Sequence, residues 1–334
     1  MRRILLTTSG IVALAAIALA PVAQAAPLTP DPSGVWTLQD ENASISTNKV
    51  TDRYYVNGLH LGYTSRSDAL PEFLNGIAGQ LWGEGQRRWS FDLTQQIYTP
   101  YTTNLARPPA GDRPYAGVLM GTFGINSDTE TSRSYFGLGV GVIGPSALGA
   151  QVQNGFHDII GQAGNHGWRT QIRDEPLIQL TSSRVFRLKT GTVFGLETEA
   201  LPELTAGAGT MKIYALTGVT LRIGQGLDAD FGVSRVRPAP SGGDVFRPQG
   251  NFGWYVFAGV DGQAIAHDVT LDGTIFRNSA NVKKHAFVGE AQGGFALLLY
   301  GVKVSYTHVL QTQQFKGQHG GFHQFGSINL SVRF

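Results

Sequence analysis

The chain has 334 residues, with 26 Lys and Arg against 24 Asp and Glu, and 42% apolar residues. That balance gives no basic footprint for nucleic acid. The absence of cysteine excludes disulfides, thiolate metal sites and a lipoprotein anchor.

In chain order, the first signal is a leader. Arg2 and Arg3 precede an apolar run from Ile11 to Val22, which ends in the small-x-small site Ala23-Gln24-Ala25. The run is short of the roughly 20 residues a membrane helix needs, so residues 1–25 read as a secretory signal peptide. Its removal takes two arginines and no acid, and leaves a mature chain of zero formal charge. Residues 26–34 read as a lead-in, and 35–334 as one body.

That body is written in period two. Leu59, Leu61 and Tyr63 alternate with His60, Gly62 and Thr64. Trp89, Phe91 and Leu93 alternate with Ser90, Asp92 and Thr94. The pattern returns at 136–142, 213–223, 252–260 and 302–306, with weaker segments near 35–42, 114–125, 175–187, 191–202 and 284–299. It ends at Ile328, Leu330, Val332 and Phe334, each separated by a polar residue. Successive strand side chains point to opposite faces, so each segment has one apolar and one polar face. About twelve such segments, a leader and a terminal Phe334 predict an all-β, twelve-stranded antiparallel transmembrane barrel. Phe334 is then the residue that barrel assembly machinery would read. A soluble β-sandwich is the alternative architecture. Short joins near 189–191 and 299–301 are expected on the periplasmic side, and longer stretches near 66–86, 100–113, 144–174, 224–250 and 263–284 on the outside.

Residues 144–161 break the alternation. Pro145 suits a first helical position and Gly161 a helix end. Val152, Phe156 and Ile160 share one face, and Gln153 and His157 are neighbours on an adjacent one. The spacing predicts a short amphipathic helix over about 145–161 at the barrel rim. Gly149 and Gly155 weaken it by roughly 1 kcal/mol each, so it must pack against the barrel or lipid.

Several blocks then carry a family resemblance. They are Thr51-Asp52-Arg53-Tyr54-Tyr55 with Asn57-Gly58, Gly111 to Gly117, Gly141 to Pro145, Gln153-Asn154 with His157 and Gly161, Gly167-Trp168 with Gln171 and Glu175-Pro176, and Phe257 to Val260. Together they resemble the outer-membrane lipid A 3'-O-deacylase family over almost the whole mature chain. The resemblance implies hydrolysis of the ester that carries the 3'-linked acyloxyacyl group of lipid A. It also implies calcium dependence, a histidine general base and action on lipopolysaccharide; the chain itself is expected to be a monomer.

Carried over position by position, His157 falls on the family histidine and Gln153 on a nearby polar position. Asn42 falls on the asparagine near the metal, and so on a calcium ligand. Three positions depart. Ala43 stands where the family has aspartate, Val56 where it has threonine or serine, and Leu105 near the lysine of one branch. An active deacylase with an altered metal shell is therefore weighed against a catalytically weakened lipid A-binding barrel, and both against a passive pore.

Without the resemblance the same residues read differently. His157 is then a solvated or headgroup-contacting side chain and Asn42 lines the lumen. Asp112 and Arg113 make an ion pair at a strand start, and Trp89, Trp168 and Trp254 are interface anchors. Lys283 and Lys284, before His285, read as a polar loop facing lipid phosphates. All eight histidines lack a serine two residues later, which weighs against the His-x-Ser pair of barrel serine esterases. Zinc, phosphate-loop and dinucleotide motifs are absent.

Overall fold

The computed structural model describes residues 28–46, 52–236, 245–248 and 250–334. The expected signal peptide, residues 1–25, lies outside the described residues. The strands are β1 (Val35–Asn42), β2 (Tyr54–Thr64), β3 (Gln86–Thr99), β4 (Ala116–Asp128), β5 (Ser132–Ile143), β6 (Glu175–Phe186), β7 (Leu188–Val193), β8 (Leu196–Gly209), β9 (Lys212–Gln225), β10 (Phe252–Asp268), β11 (Phe287–Leu299), β12 (Val302–Gln311) and β13 (His323–Arg333). The helices are α1 (Glu72–Trp82), α2 (Gly149–Ile160) and the single turn α3 (Val269–Asp272).

The strands form one antiparallel sheet that closes on itself. β1 pairs with β13 from Val35↔Arg333 to Asn42↔Gly326. β6 pairs with β8 from Gln179↔Gly209 to Val185↔Glu203. β7 continues β6 past Arg187 and pairs only with β8, so twelve strands go round the barrel. The seam is finished by two main-chain bonds of 3.2 Å between Gly34 and Phe334.

The barrel is apolar outside and polar inside. Leu38 is 56% exposed while its neighbour Gln39 is 1% exposed. Leu59, Phe91, Leu138, Ile178, Leu221, Val260, Phe295, Val304 and Leu330 continue the exposed apolar belt around the wall. Ser90, Asp92, Ser305, Asn329 and Ser331 are buried in the interior. A belt of that extent in water would be untenable for a monomer. In hydrocarbon it is the stable face, which rejects the soluble sandwich. Among the described residues no helix is long and apolar enough to cross a membrane. Near the chain ends the belt is aromatic. Trp36, Tyr63, Trp89 and Phe123 form a ladder across β1 to β4, with centroids 5.0, 5.3 and 6.4 Å apart.

The start of β1, the end of β13 and three short turns lie at this aromatic end, while most long connections lie at the other. This is the pattern of a periplasmic and an extracellular side. Two connections correct the expectation of length. Residues 66–86 and 224–250 are long, yet they join strands at the periplasmic end. The join near 189–191 lies inside β7, with the turn following at Phe194-Gly195.

Within the second of these connections, residues 230–236 enter the barrel. Gln39 donates to the Ser234 carbonyl (2.9 Å), Lys303 to the Gly232 carbonyl (2.9 Å), and the Val236 N–H to Glu41 (2.9 Å). Asp230, fully buried, is held by Arg222, Lys303 (2.5 Å) and the Tyr255 hydroxyl (2.9 Å). Arg235 pairs with Asp261 (2.9 Å) and Glu290. The interior is thus filled by a strap tied by ion pairs to several strands, against the passive-pore reading. Bilayer recordings of the purified protein should show no steady open current. Asp230→Asn removes the carboxylate that Lys303 and Arg222 share, Arg222 keeping Glu199, and is expected to cost about 3–5 kcal/mol, read as a lower midpoint in urea unfolding by gel mobility.

Candidate active site at the outer rim

The rim helix forms where the sequence places it, and its seat is made of backbone. Gly144 turns the chain at φ +115°, packed so closely on Arg173 and Asp174 that a Cβ would lie 2.6 Å from a backbone nitrogen. Pro145–Ala147 make one 3-10 turn, and α2 follows. A Cβ on Gly117 at the start of β4 would meet the Gly149 nitrogen at 3.1 Å, and one on Gly149 would meet Trp168 at 2.8 Å. Two glycines therefore let the first turn of α2 lie directly on the barrel wall. Gly161, at φ +70°, ends the helix. The Ser146 N–H and hydroxyl tie the segment to Asp174 (2.8 and 2.9 Å).

α2 is oriented against the rule for soluble helices. Phe156, Ile159 and Ile160 are exposed, Ile159 by 83%, while Gln153 and His157 are buried. The apolar side faces outward and the polar pair faces the barrel, the arrangement expected where the surroundings are acyl chains. The two residues the spacing makes neighbours are therefore both delivered to one site.

Their partner there is Asp52, from the connection between β1 and β2. Gln153 donates to Asp52 Oδ1 (2.6 Å), and Asn165 donates to Oδ2 (2.5 Å). His157 Nε2 lies 3.5 Å from Oδ2. Trp168 donates from its indole to Gln153 Oε1 (2.8 Å), which fixes the amide so that its NH2 points at the carboxylate. Trp168 is thus a buried buttress rather than an interface anchor. Trp89 and Trp254 are half-buried on the wall.

The histidine tautomer follows from its other nitrogen. His157 Nδ1 is 3.0 Å from the Ala163 carbonyl, which can only accept, so Nδ1 carries the proton. In the neutral ring Nε2 is then a free lone pair beside a carboxylate. That pair can take a proton from water, and Asp52 steadies the imidazolium that results.

The remaining wall comes from β1 and β2. A cleft of about 210 Å³ is lined by Asp40, Asn42, Asp52, Val56, Asn57, Leu59, Gln153, Phe156, His157 and Ile160, among others. Leu59, Phe156 and Ile160 are also exposed on the apolar outer face, so the cleft adjoins lipid rather than the lumen. Val56 is the extra residue of a β-bulge between Tyr55 and Asn57, and its side chain packs with Ile97, Tyr115 and Trp168. It gives the cleft a methyl wall. Asn57 donates to Asp40 (2.6 Å) and leaves its own Oδ1 buried without a protein partner.

Asn42 Oδ1 accepts from the Ser44 N–H (2.8 Å) and hydroxyl (2.6 Å), which caps the following turn. Its NH2 end takes no part in that cap. Ala43 is fully buried in an apolar cluster with Tyr55, Val309 and Phe325. Leu105 is exposed in the connection between β3 and β4 and is not among the cleft residues. Arg113, fully buried, donates to Gln314 (3.0 Å) and Thr270 (3.0 Å), while Asp112 accepts the Tyr101 N–H (2.8 Å). Lys284 pairs with Asp272 (3.0 Å), and Lys283 is exposed.

The donor set bears on the implied calcium. Calcium takes six to eight oxygen ligands. Both Asp52 oxygens already accept from amides, Asp40 accepts from Asn57, and the carboxylate position after Asn42 is a buried methyl. Among the described residues no three His, Asp or Glu side chains converge to hold a metal ion. These residues do not fit a calcium shell.

Asp52, Asn57 and Trp168 were not among the expected site residues. All three lie in the resemblance blocks, but no spacing rule links Asp52 to a histidine so far along the chain.

A family model described as "Outer membrane protein LpxR" matches residues 10–334. Among solved structures, LpxR from Salmonella typhimurium is similar at a TM-score of 0.73 and 24% identity, covering 90% of this chain and 100% of that one. The β domain of the Bordetella autotransporter BrkA follows at a TM-score of 0.39 and 9% identity, covering 91% of this chain and 98% of that one. A search of curated protein sequences gives no match.

The glycine seat of α2 can be tested. Gly149→Ala is expected to lift the helix from Trp168 and Gly117 at about 1–3 kcal/mol of overpacking. Hydrogen exchange of the amides in 149–160 should then quicken roughly tenfold or more, with the strand amides unchanged.

Proposed function

The chain belongs to the outer membrane protein LpxR family, and on that premise we propose that it is a lipid A deacylase whose general base is His157. The reaction class comes from the family, which acts on lipid A in the outer membrane. The observation that carries the residue roles is the position of His157 Nε2, 3.5 Å from Asp52 Oδ2, in a cleft that adjoins the lipid-facing surface.

His157 takes a proton from water, and the water oxygen attacks the carbonyl of the 3'-linked acyl ester. The ester oxygen gathers negative charge in the tetrahedral intermediate, where the Asn42 NH2 serves as donor. Collapse breaks the bond to the sugar oxygen, and the imidazolium returns the proton to it. The products are a free acyloxyacyl acid and a 3'-hydroxyl. Gln153 and Asn165 hold Asp52, and Asp52 holds the charge on His157. Phe156, Ile160, Leu59 and Val56 give the acyl chain an apolar wall.

Family resemblance carries a calcium dependence, which the donor set here does not support, and no step above uses the ion. Ala43 and Val56 also favour a second reading, a barrel that binds lipid A without turning it over.

Mass spectrometry of lipid A from cells expressing the chain separates these readings. Loss of the 3' acyloxyacyl mass is expected, and unchanged lipid A from a well-folded protein would favour the binding-only barrel. His157→Ala should lower turnover by about 10²–10⁴-fold, the usual worth of a general base. Asp52→Asn should lower it about 10–100-fold, because one fixed charge beside the imidazolium is lost. With purified protein, turnover should survive chelation by EDTA. Complete loss under chelator would overturn the reading of the donor set.

A further inference from the structure

At the periplasmic end, the connection between β2 and β3 holds α1, a helix that the site does not use. Its eleven residues divide into three arcs at ~100° per residue. Asn75, Ala78, Gly79 and Trp82 form one arc, with Ala78 and Trp82 buried. Phe73, Leu74, Ile77 and Leu81 form the next, with Phe73 69% and Ile77 50% exposed. Glu72, Gly76 and Gln80 lie on the third. A helix lying on the barrel with water on all its free sides would carry two arcs, not three.

The attachment of α1 shows which side of the wall it occupies. Arg87 donates to Asn75 Oδ1 (2.6 Å) and to the Gly83 carbonyl, so it clamps both ends of the helix. On β3 the side chains of Gln86, Arg88 and Ser90 are buried inward, while Arg87 shares the outward parity of Trp89 and Phe91. α1 is therefore fastened to the outer face of the barrel, one step along β3 from the aromatic ladder. Its apolar arc continues a surface that already meets lipid.

We propose that α1 is an interfacial membrane-binding helix, seated in the inner leaflet of the outer membrane with Phe73, Leu74, Ile77 and Leu81 among phospholipid acyl chains. The barrel-facing arc is held by Arg87, the polar arc faces the periplasm, and the apolar arc is the lipid contact. The partner is a phospholipid surface, because the arc is continuous with the lipid-facing belt.

The cysteine-free chain makes the test direct. Phe73→Cys, Ile77→Cys and Glu72→Cys would each be labelled with an environment-sensitive fluorophore in the full-length protein. The proteins are then reconstituted in phosphatidylethanolamine vesicles with or without acyl-chain bromination. At least twofold quenching at 73 and 77, with little at 72, is expected. Equal weak quenching at all three positions, or quenching of 73 and 77 by aqueous iodide, would overturn the proposal and leave the arc to a soluble partner. The unlabelled chain gives an independent reading with phosphatidylethanolamine carrying a photoactivatable acyl chain. Crosslinks within 73–81 are expected, and crosslinks confined to the strands would overturn it.

Discussion

In hydrocarbon an unpaired peptide N–H or C=O has no water to turn to, and each costs several kcal/mol. A sheet that spans a membrane must therefore close. In this chain closure is achieved by β1 on β13 and by β6 on β8. The rest of the molecule follows. Closure gives the wall a lipid face and an interior, and the interior must be filled. It is filled by polar side chains and by a strap whose charges are neutralised in place. With the lumen occupied, an extended surface for a large amphiphile remains only at the rims and on the outer wall.

The barrel was legible in the sequence because each strand carries its environment in alternate residues. Most spanning segments follow that alternation, and the terminal strand shows it most cleanly. The segment expected near 191–202 instead takes in the turn at Phe194-Gly195 and only the first half of β8, a strand in which Leu201, Ala206 and Ala208 are buried. The end at which a connection lies was not legible from length. Residues 66–86 carry a helix, and residues 230–236 of the other connection fill the lumen, and neither reason depends on the side of the membrane. Trp168 was misread for a related cause. An isolated tryptophan in a barrel sequence suggests an interface, but its indole finds a partner in Gln153.

The site shows the same division. His157 and Gln153 were found together because four residues along a helix is a local relation. Asp52 was not found, because its relation to His157 exists only after α2 has docked on β4 and the β1–β2 connection has reached across. Val56 and Ala43 could be named as departures from the family pattern. What they do instead depends on contacts between segments far apart in the chain. One makes a methyl wall on a bulge, and the other completes an apolar cluster under the turn that Asn42 caps.

The seam between β1 and β13 has a kinetic side. Every other strand pairs with a near neighbour in sequence, so most of the sheet can assemble as a growing meander of local hairpins. The seam joins the first strand to the last, and no local contact can substitute for it. Its entropic penalty rises only slowly with loop length, but such distant pairings are formed late. Until β13 arrives, the chain is a curled sheet with two open edges, one of them β1, each a template for the wrong partner. The most hazardous state of this protein is thus the one that precedes its last strand.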